Sequence, residues 1–238
     1  MQIKPSDTSL SFEINSNIEK VKEVPSFDNL VAYYPLSIGT NDGNAISDMS
    51  PNSNHGTNNG ATFTEGVDGN MNTGMRFDGV SDYIDCGSNS SLNILKSITI
   101  SAWADISILD NAHRWIVRKG WSDASFFFGK NINDKIVLVI NNKADIYTST
   151  TAPNALLGWH HYVGIYDKNV GKIKIFIDGH NTNWEFLLSE SINTNNSIMF
   201  MSGYPAYGQY FNGLIDDVRI YNKALTENEI KLLYNNKN

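Results

Sequence analysis

From residue 30 onward the chain is built of short runs rich in β-branched and aromatic residues, each closed by turn-forming residues. The runs include "LVAYYPL", "KIVLVINN", "WHHYVGIYD", "KIKIFIDG" and "GLIDDVRIY", with turns such as "NDG" and "DKNVGK" between them. The run "SITISAWADI" alternates strictly, and its two sides are Ile98, Ile100, Ala102 and Ala104 against Thr99, Ser101 and Trp103. Many short strands separated by regular turns predict an all-β sandwich or barrel.

One short helix is predicted, close to the C-terminus. Thr226 is suited to the N-cap position, and Glu229 stands three residues later, which together form a capping box. Leu225, Ile230 and Leu233 would then pack this helix onto the sandwich.

The first 28 residues differ in composition from the rest. Residues 1–28, called the arm below, are polar and contain one alternating patch, "LSFEI", in which Leu10, Phe12 and Ile14 share a side. The arm is either a flexible leader with one edge strand or a segment that docks on a protein partner or a second copy. Since no repeat or linker interrupts the remainder, we predict a single domain over residues 29–238.

Charge and composition exclude several classes of protein. The net charge of −7, with no basic cluster, argues against a nucleic-acid binder held by phosphate contacts. A single cysteine, Cys86, rules out an intramolecular disulfide framework. No basic stretch followed by an apolar run is present near the start, so no signal peptide is visible. No run of 18 apolar residues exists, so we predict no insertion into a membrane.

Six motifs in a fixed order carry a family resemblance. They are "LVAYYPL", "DMSPNSNHGTNNGATF", "GMRFDGVSDYIDCG", "SITISAWADI", "GWHHYVGIYD" with "KIFIDG", and "FNGLIDDVRIYNKALTENEI". In this order the chain from about Leu30 to Tyr234 resembles the laminin G-like members of the concanavalin A-like lectin/glucanase superfamily. The resemblance implies a two-sheet antiparallel jelly-roll sandwich with a short C-terminal helix.

The resemblance also implies a class of function. Family members mostly bind glycans or proteins, or serve as adhesive modules, so we expect a non-catalytic recognition module for a glycan or surface polysaccharide. The alternative is a virion component, such as a phage structural or decoration protein, docked through the arm. The absence of a visible signal peptide favours a virion or extracellular surface location. A glycoside hydrolase is the third hypothesis.

Two adjacent aspartates in "GLIDDVRIY", Asp216 and Asp217, raise three interpretations. On a regular strand neighbouring side chains point to opposite faces, so this pair would not form the two carboxylates of a glycosidase cleft. The glucanase pattern Glu-x-Asp-x-x-Glu is also absent from the chain. We therefore predict no catalytic residues.

The second interpretation is a structural calcium ion, which the resemblance places at this late strand. Asp216 or Asp217 would be a ligand, and Asp48 is the next candidate. The third interpretation needs no metal. One aspartate would accept hydrogen bonds from a loop backbone, and the other would pair with Arg219 or Arg76.

Aromatic side chains in loops are the candidate ligand-binding residues, because sugar rings lay their C–H faces on flat aromatic groups. The loop "SGYPAYGQYF" holds three tyrosines, and two tryptophans lie in other polar segments. The candidates are Tyr204, Tyr207, Tyr210, Trp121 and Trp184. A packed loop tip or a subunit contact is the alternative for the tyrosine loop.

Other reactive side chains are predicted to be structural. His160 and His161 should point to opposite faces of a strand, and neither has a partner at zinc-like spacing. Cys86 has no neighbouring base and is expected to be a buried, inert thiol. Arg114, Arg118 and Lys119 are expected to form a solvated strand edge.

Overall fold

The computed structural model describes residues 25–40, 44–106, 110–120, 124–142, 157–203 and 205–236. Most of the arm lies outside these residues, so its predicted docking and the boundary at residue 28 stay predictions. Trp121 and Tyr204 lie outside them too.

The described residues form fifteen strands and one α-helix. In chain order they are β1 (Leu30–Tyr34), β2 (Ala45–Ile46), β3 (Gly56–Asn59), β4 (Thr62–Thr64), β5 (Gly74–Asp78), β6 (Tyr83–Asp85), β7 (Ile98–Asp105), β8 (Arg114–Lys119), β9 (Phe126–Lys130), β10 (Ile136–Ile140), β11 (Trp159–Asp167), β12 (Lys172–Ile177), β13 (His180–Leu187), β14 (Met199–Met201), β15 (Asn212–Tyr221) and α1 (Glu227–Asn235).

The strands form two antiparallel sheets. Sheet I has eight strands in the order β13-β12-β11-β7-β15-β5-β4, with β1 also paired to β15. Sheet II has seven strands in the order β10-β9-β8-β14-β6-β3-β2. This confirms the predicted two-sheet antiparallel sandwich with a short C-terminal helix.

The core between the sheets follows the strand alternation. On β7, Ile98, Ile100, Ala102 and Ala104 are all fully buried in the main core cluster, as predicted. The opposite side of β7 is buried as well, because α1 and neighbouring side chains cover it. Trp103 stacks on Tyr234 of α1, with ring centroids 5.5 Å apart.

Helix α1 begins with the predicted capping box. The Thr226 hydroxyl accepts a hydrogen bond from the Glu229 N–H, and the Glu229 carboxylate accepts one from the Thr226 N–H. Leu225, Ile230 and Leu233 are buried in a second apolar cluster on the outer face of sheet I, which confirms the predicted docking. No helix of the described residues combines the length and hydrophobicity that crossing a membrane requires.

We expect Leu233→Ala to lower the free energy of unfolding by about 2–5 kcal/mol, because it leaves a cavity under α1. Leu233 is 1% exposed, whereas its neighbour Leu232 is 39% exposed. Leu232→Ala is therefore the matched control, with an expected change within about 0.5 kcal/mol. Urea unfolding measures both, and equal losses in the two variants would contradict the docking of α1.

Candidate functional site

A β-bulge on β15 places both aspartates outside the core. Ile215 and Val218 both belong to the core cluster, although two residues separate them instead of one. The pairing of β15 with β7 shifts register between Asp216 and Arg219, and Asp217 adopts a left-handed φ of 49°. The expectation that the two aspartates point to opposite faces is therefore wrong, because the extra residue of a bulge interrupts the alternation.

Asp216 lies against the loop that joins β4 to β5. It is 1% exposed, and its Oδ2 accepts a hydrogen bond from the Val67 N–H at 3.0 Å. Its Oδ1 has no hydrogen-bond partner among the described residues. Burial raises the pKa of Asp216 to about 8, and the nearby carboxylates of Asp217 and Asp68 act in the same direction. A buried carboxyl with an unpartnered oxygen is a site for a proton or a cation.

Asp217 has a different partner. Its Oδ1 lies 2.9 Å from Nη2 of Arg219, and both side chains are buried. The Arg219 guanidinium also lies over the Tyr33 ring, 4.4 Å from its centroid. The two adjacent aspartates thus have the two environments of the metal-free interpretation, one a loop N–H and the other Arg219.

The carboxylate oxygens of Asp48 already accept hydrogen bonds from neighbouring residues. Its carboxylate accepts from the N–H groups of Tyr33, Ser50 and Asn54 and from the Ser50 hydroxyl, at 2.7–2.8 Å. It holds its own loop against the start of β1 and needs no metal for this. Its role as a calcium ligand stays a prediction.

The fit to a calcium ion therefore depends on Asp216. Its unpartnered, buried oxygen is a hard ligand of the type that calcium prefers. Within the described ranges no group of three or more His, Cys, Asp or Glu side chains could hold a metal ion. A calcium ion here would take Asp216 together with backbone carbonyl oxygens.

Without a bound cation, Asp216 should make stability fall as pH rises. Its folded pKa of about 8 exceeds the ordinary value of 3.8, so folding takes up a proton between these values. The stabilisation is complete below about pH 4 and is lost progressively up to about pH 8, at roughly 1.4 kcal/mol per pH unit. Urea unfolding in a chelator, compared with Asp216→Asn, isolates this group. Identical pH profiles for the two proteins would contradict it.

The outer face of sheet II carries a group of aromatic side chains, of which Tyr83 and Tyr210 are partly exposed. On β6, Ile84 faces the core, so Tyr83 and Asp85 face outward. The Tyr83 ring lies 6.4 Å from that of Tyr210 and 5.8 Å from that of Phe200. The neighbouring strand β3 places Asn59 opposite Tyr83 and Thr57 opposite Asp85. We call these residues the tyrosine face, namely Thr57, Asn59, Tyr83, Asp85, Phe200 and Tyr210.

The loop that holds Tyr207 and Tyr210 is fixed to the sheet by polar contacts. Arg114 Nη1 donates to the Tyr210 carbonyl at 2.6 Å. Gln209 Oε1 accepts from Trp115 Nε1 at 2.9 Å and from Arg118. These contacts tie Gln209 and Tyr210 to β8 beside Tyr83.

Arg118 and Lys119 are buried, which corrects the expected solvated strand edge. Strand β8 lies between β9 and β14, inside sheet II. Arg118 lies over the Phe127 ring, 4.1 Å from its centroid, and Lys119 donates to the carbonyls of Asn195 and Ser197. The chain order of the strands did not reveal that β8 is internal.

The predicted ligand-binding residues divide between the two sheets. Tyr210 belongs to the tyrosine face, and Tyr207, three residues earlier in the same loop, is 53% exposed. Trp184 lies on β13, the outermost strand of sheet I, and is not part of this face. Tyr83 was missed by sequence reasoning, although the alternation around Ile84 already places it on the outer side.

The remaining reactive groups are structural, as expected. His160 contacts Asp178 at 2.7 Å, whereas His161 contacts Ser101 at 2.8 Å on the other side of β11. Burial lowers the pKa of His161 to about 3, so it is neutral at physiological pH. Burial also raises the pKa of Cys86 to about 12, which keeps the thiol protonated and unreactive.

A family model described as the concanavalin A-like lectin/glucanases superfamily, of the laminin G type, matches residues 78–231. The chain belongs to this superfamily. Among curated proteins no relative matches the sequence. The family includes both enzymes and non-catalytic binding domains.

Solved structures share the fold at low sequence identity. Domain 4 of AbnA, a GH43 extracellular arabinanase from Geobacillus stearothermophilus, solved with arabinotriose, is 20% identical with a TM-score of 0.66. The alignment covers 87% of this chain and 98% of that domain. Botulinum neurotoxin type C, whose cell entry depends on two ganglioside molecules, is 16% identical with a TM-score of 0.67.

Trypanosoma rangeli sialidase is 15% identical with a TM-score of 0.62. The alignments with the neurotoxin and the sialidase each cover 89% of this chain. This chain spans 52% of the neurotoxin chain and 33% of the sialidase chain. These likenesses establish the sandwich fold.

Proposed function

We propose that this protein is a non-catalytic recognition module that binds a glycan or surface polysaccharide through the tyrosine face. It would be displayed on a particle, including a virion, or on a cell surface, where such polysaccharides occur. The observation that carries the proposal is the contact of Tyr83 with Tyr210 beside outward-facing Asp85 and Thr57.

The chemistry of the tyrosine face suits a sugar. A pyranose or furanose ring can lay its C–H face on the rings of Tyr83 and Tyr210, and the exposed Tyr207 of the same loop would add to this surface. Hydroxyl groups can then bond to the side chains of Asp85 and Thr57. Because Gln209 and Arg114 hold the loop in place, binding does not have to order it first.

The surroundings of the carboxylates support binding rather than hydrolysis. Asp216 and Asp217 are each 1% exposed, so a sugar cannot reach them. A glycosidase needs two accessible carboxyl groups on either side of the scissile bond. On the tyrosine face we identify a single carboxylate, that of Asp85.

The structural neighbours provide an analogy for the type of ligand. The arabinanase domain was solved with arabinotriose, and the neurotoxin interacts with gangliosides. A further neighbour, the binding domain of botulinum neurotoxin DC, was solved with rat synaptotagmin II. A sandwich of this fold therefore serves for glycan and protein recognition in other proteins, and we favour the glycan for this one.

Binding should be measured first on a broad oligosaccharide array that includes arabinotriose and ganglioside headgroups, then by calorimetry on the best ligand. We expect Tyr83→Ala or Tyr207→Ala to weaken binding roughly tenfold or more, about 1.4 kcal/mol, through loss of ring stacking. The matched control is Trp184→Ala, an exposed aromatic residue on the other sheet, which should leave affinity unchanged.

The opposite result would place the ligand elsewhere. If Trp184→Ala abolished binding and both tyrosine variants retained it, the site would lie at β13. If the intact protein bound no sugar on the array, the glycan proposal would fail.

We also propose a structural calcium ion at Asp216, which would hold the β4–β5 loop to β15. Calcium should raise the thermal midpoint, with about 2.7 kcal/mol of stabilisation at 100 times the dissociation constant. The gain should be larger at pH 9 than at pH 6, because the ion must replace the proton on Asp216. Asp216→Asn should abolish the shift, and Asp28→Asn, at an exposed position, should keep it. An equal shift in both variants would refute this ligand.

A further inference from the structure

The outermost strand of sheet I presents an apolar edge. In the described part of the chain no strand lies beyond β13, so one row of its backbone N–H and C=O groups is left without a sheet partner. Trp184 is 49% exposed, Phe186 38% and Leu187 73%. Exposed apolar edge strands promote aggregation, and proteins ordinarily cover them or load them with charge.

The two sides of this edge differ in chemistry. Phe186 pairs with the core residue Ile173, so it points to the core side of sheet I. Trp184 lies two residues earlier, next to the register shift between Asn181 and Glu185. Glu185 points to the other side, where it pairs with Lys172 and Lys174. That side has two lysines for one glutamate. A strand added here should be apolar on one side and acidic on the other.

Residues 9–15 of the arm have this pattern. Leu10, Phe12 and Ile14 alternate with Ser11 and Glu13. In one register the three apolar side chains would extend the surface of Trp184 and Phe186. Glu13 would then lie on the side of the two lysines.

The described chain begins within reach of β13. Ser26 donates a hydrogen bond to Glu229 near the start of α1, and Gly179, in the β12–β13 turn, packs against Tyr234 near the end of α1. A nine-residue helix is about 13 Å long. Residues 16–24, if extended, span up to about 30 Å. The arm can therefore cross the length of α1 and reach β13 of its own chain.

We propose that residues 9–15 add to the free edge of β13 as a further strand of sheet I within the same chain. Main-chain hydrogen bonds would provide most of the affinity, and the alternating side chains would set the register. Attachment through residues 16–24 gives the segment a high effective concentration at its own β13. This inference is independent of the glycan proposal and assigns Trp184 to the docking surface instead of the ligand site.

Hydrogen exchange of the full chain, followed by mass spectrometry, tests the docking. Phe12→Asp would place a charge against Trp184 and Phe186. We expect the amides of β13 to exchange about tenfold faster or more in this variant than in the unmodified protein. Ile18→Asp, which lies in the arm but outside residues 9–15, is the matched control and should leave β13 protected. Amides of β7 report that the sandwich is intact in every variant.

Two results would overturn the proposal. One is equal exchange of β13 in the unmodified protein, Phe12→Asp and Ile18→Asp. The other is protection that disappears on dilution together with a fall in mass by light scattering, since the edge would then be paired between two copies.

Discussion

The structure depends on β15, the long strand that pairs with β7, β5 and β1. Its apolar residues Ile215, Val218 and Ile220 enter the core, and its polar residues are buried on the opposite side. The bulge at Asp217 makes both placements possible. It lets Ile215 and Val218 face the core although two carboxylates, Asp216 and Asp217, stand between them in the chain. The Asp217–Arg219 pair then compensates charge that would otherwise be buried alone.

The two aspartates show how adjacent, identical side chains acquire different properties. Asp217 faces a guanidinium, which favours its charged form. Asp216 faces backbone N–H groups and no cation, and it keeps one oxygen without a partner among the described residues, so burial favours its neutral form or a bound cation. Backbone geometry alone separates them, since the bulge directs the side chains to different neighbours.

The outer face of sheet II has a packed part around Phe127 and an exposed part around Tyr83. The Phe127 ring packs against both Trp115 and Arg118. The Gln209 side chain accepts hydrogen bonds from the same two residues, Trp115 and Arg118. Because Gln209 and Tyr210 are already bonded to β8, a ligand that binds beside Tyr83 does not have to order these residues first.

The resemblance of six ordered motifs to a known family implied the two-sheet sandwich. The residues themselves determined the all-β class, the burial of Cys86 and the capping box of α1. These follow from alternation, turn residues and hydrogen bonds between residues close in the chain. Sequence reasoning also proposed that one aspartate binds a loop N–H and the other pairs with Arg219 or Arg76, but it left calcium as an equal alternative. Local patterns do not show which loop lies over a strand.

Only the tertiary structure decided the bulge at Asp217, the burial of Arg118 and Lys119, and the contact of Tyr83 with Tyr210. Each depends on which strands become neighbours, and those strands are far apart in the chain. Tyr83 and Tyr210 meet because β6 pairs with β14, whose following loop folds back over sheet II. Trp184, an equally plausible binding residue in the sequence, lies on the outermost strand of the other sheet for the same reason.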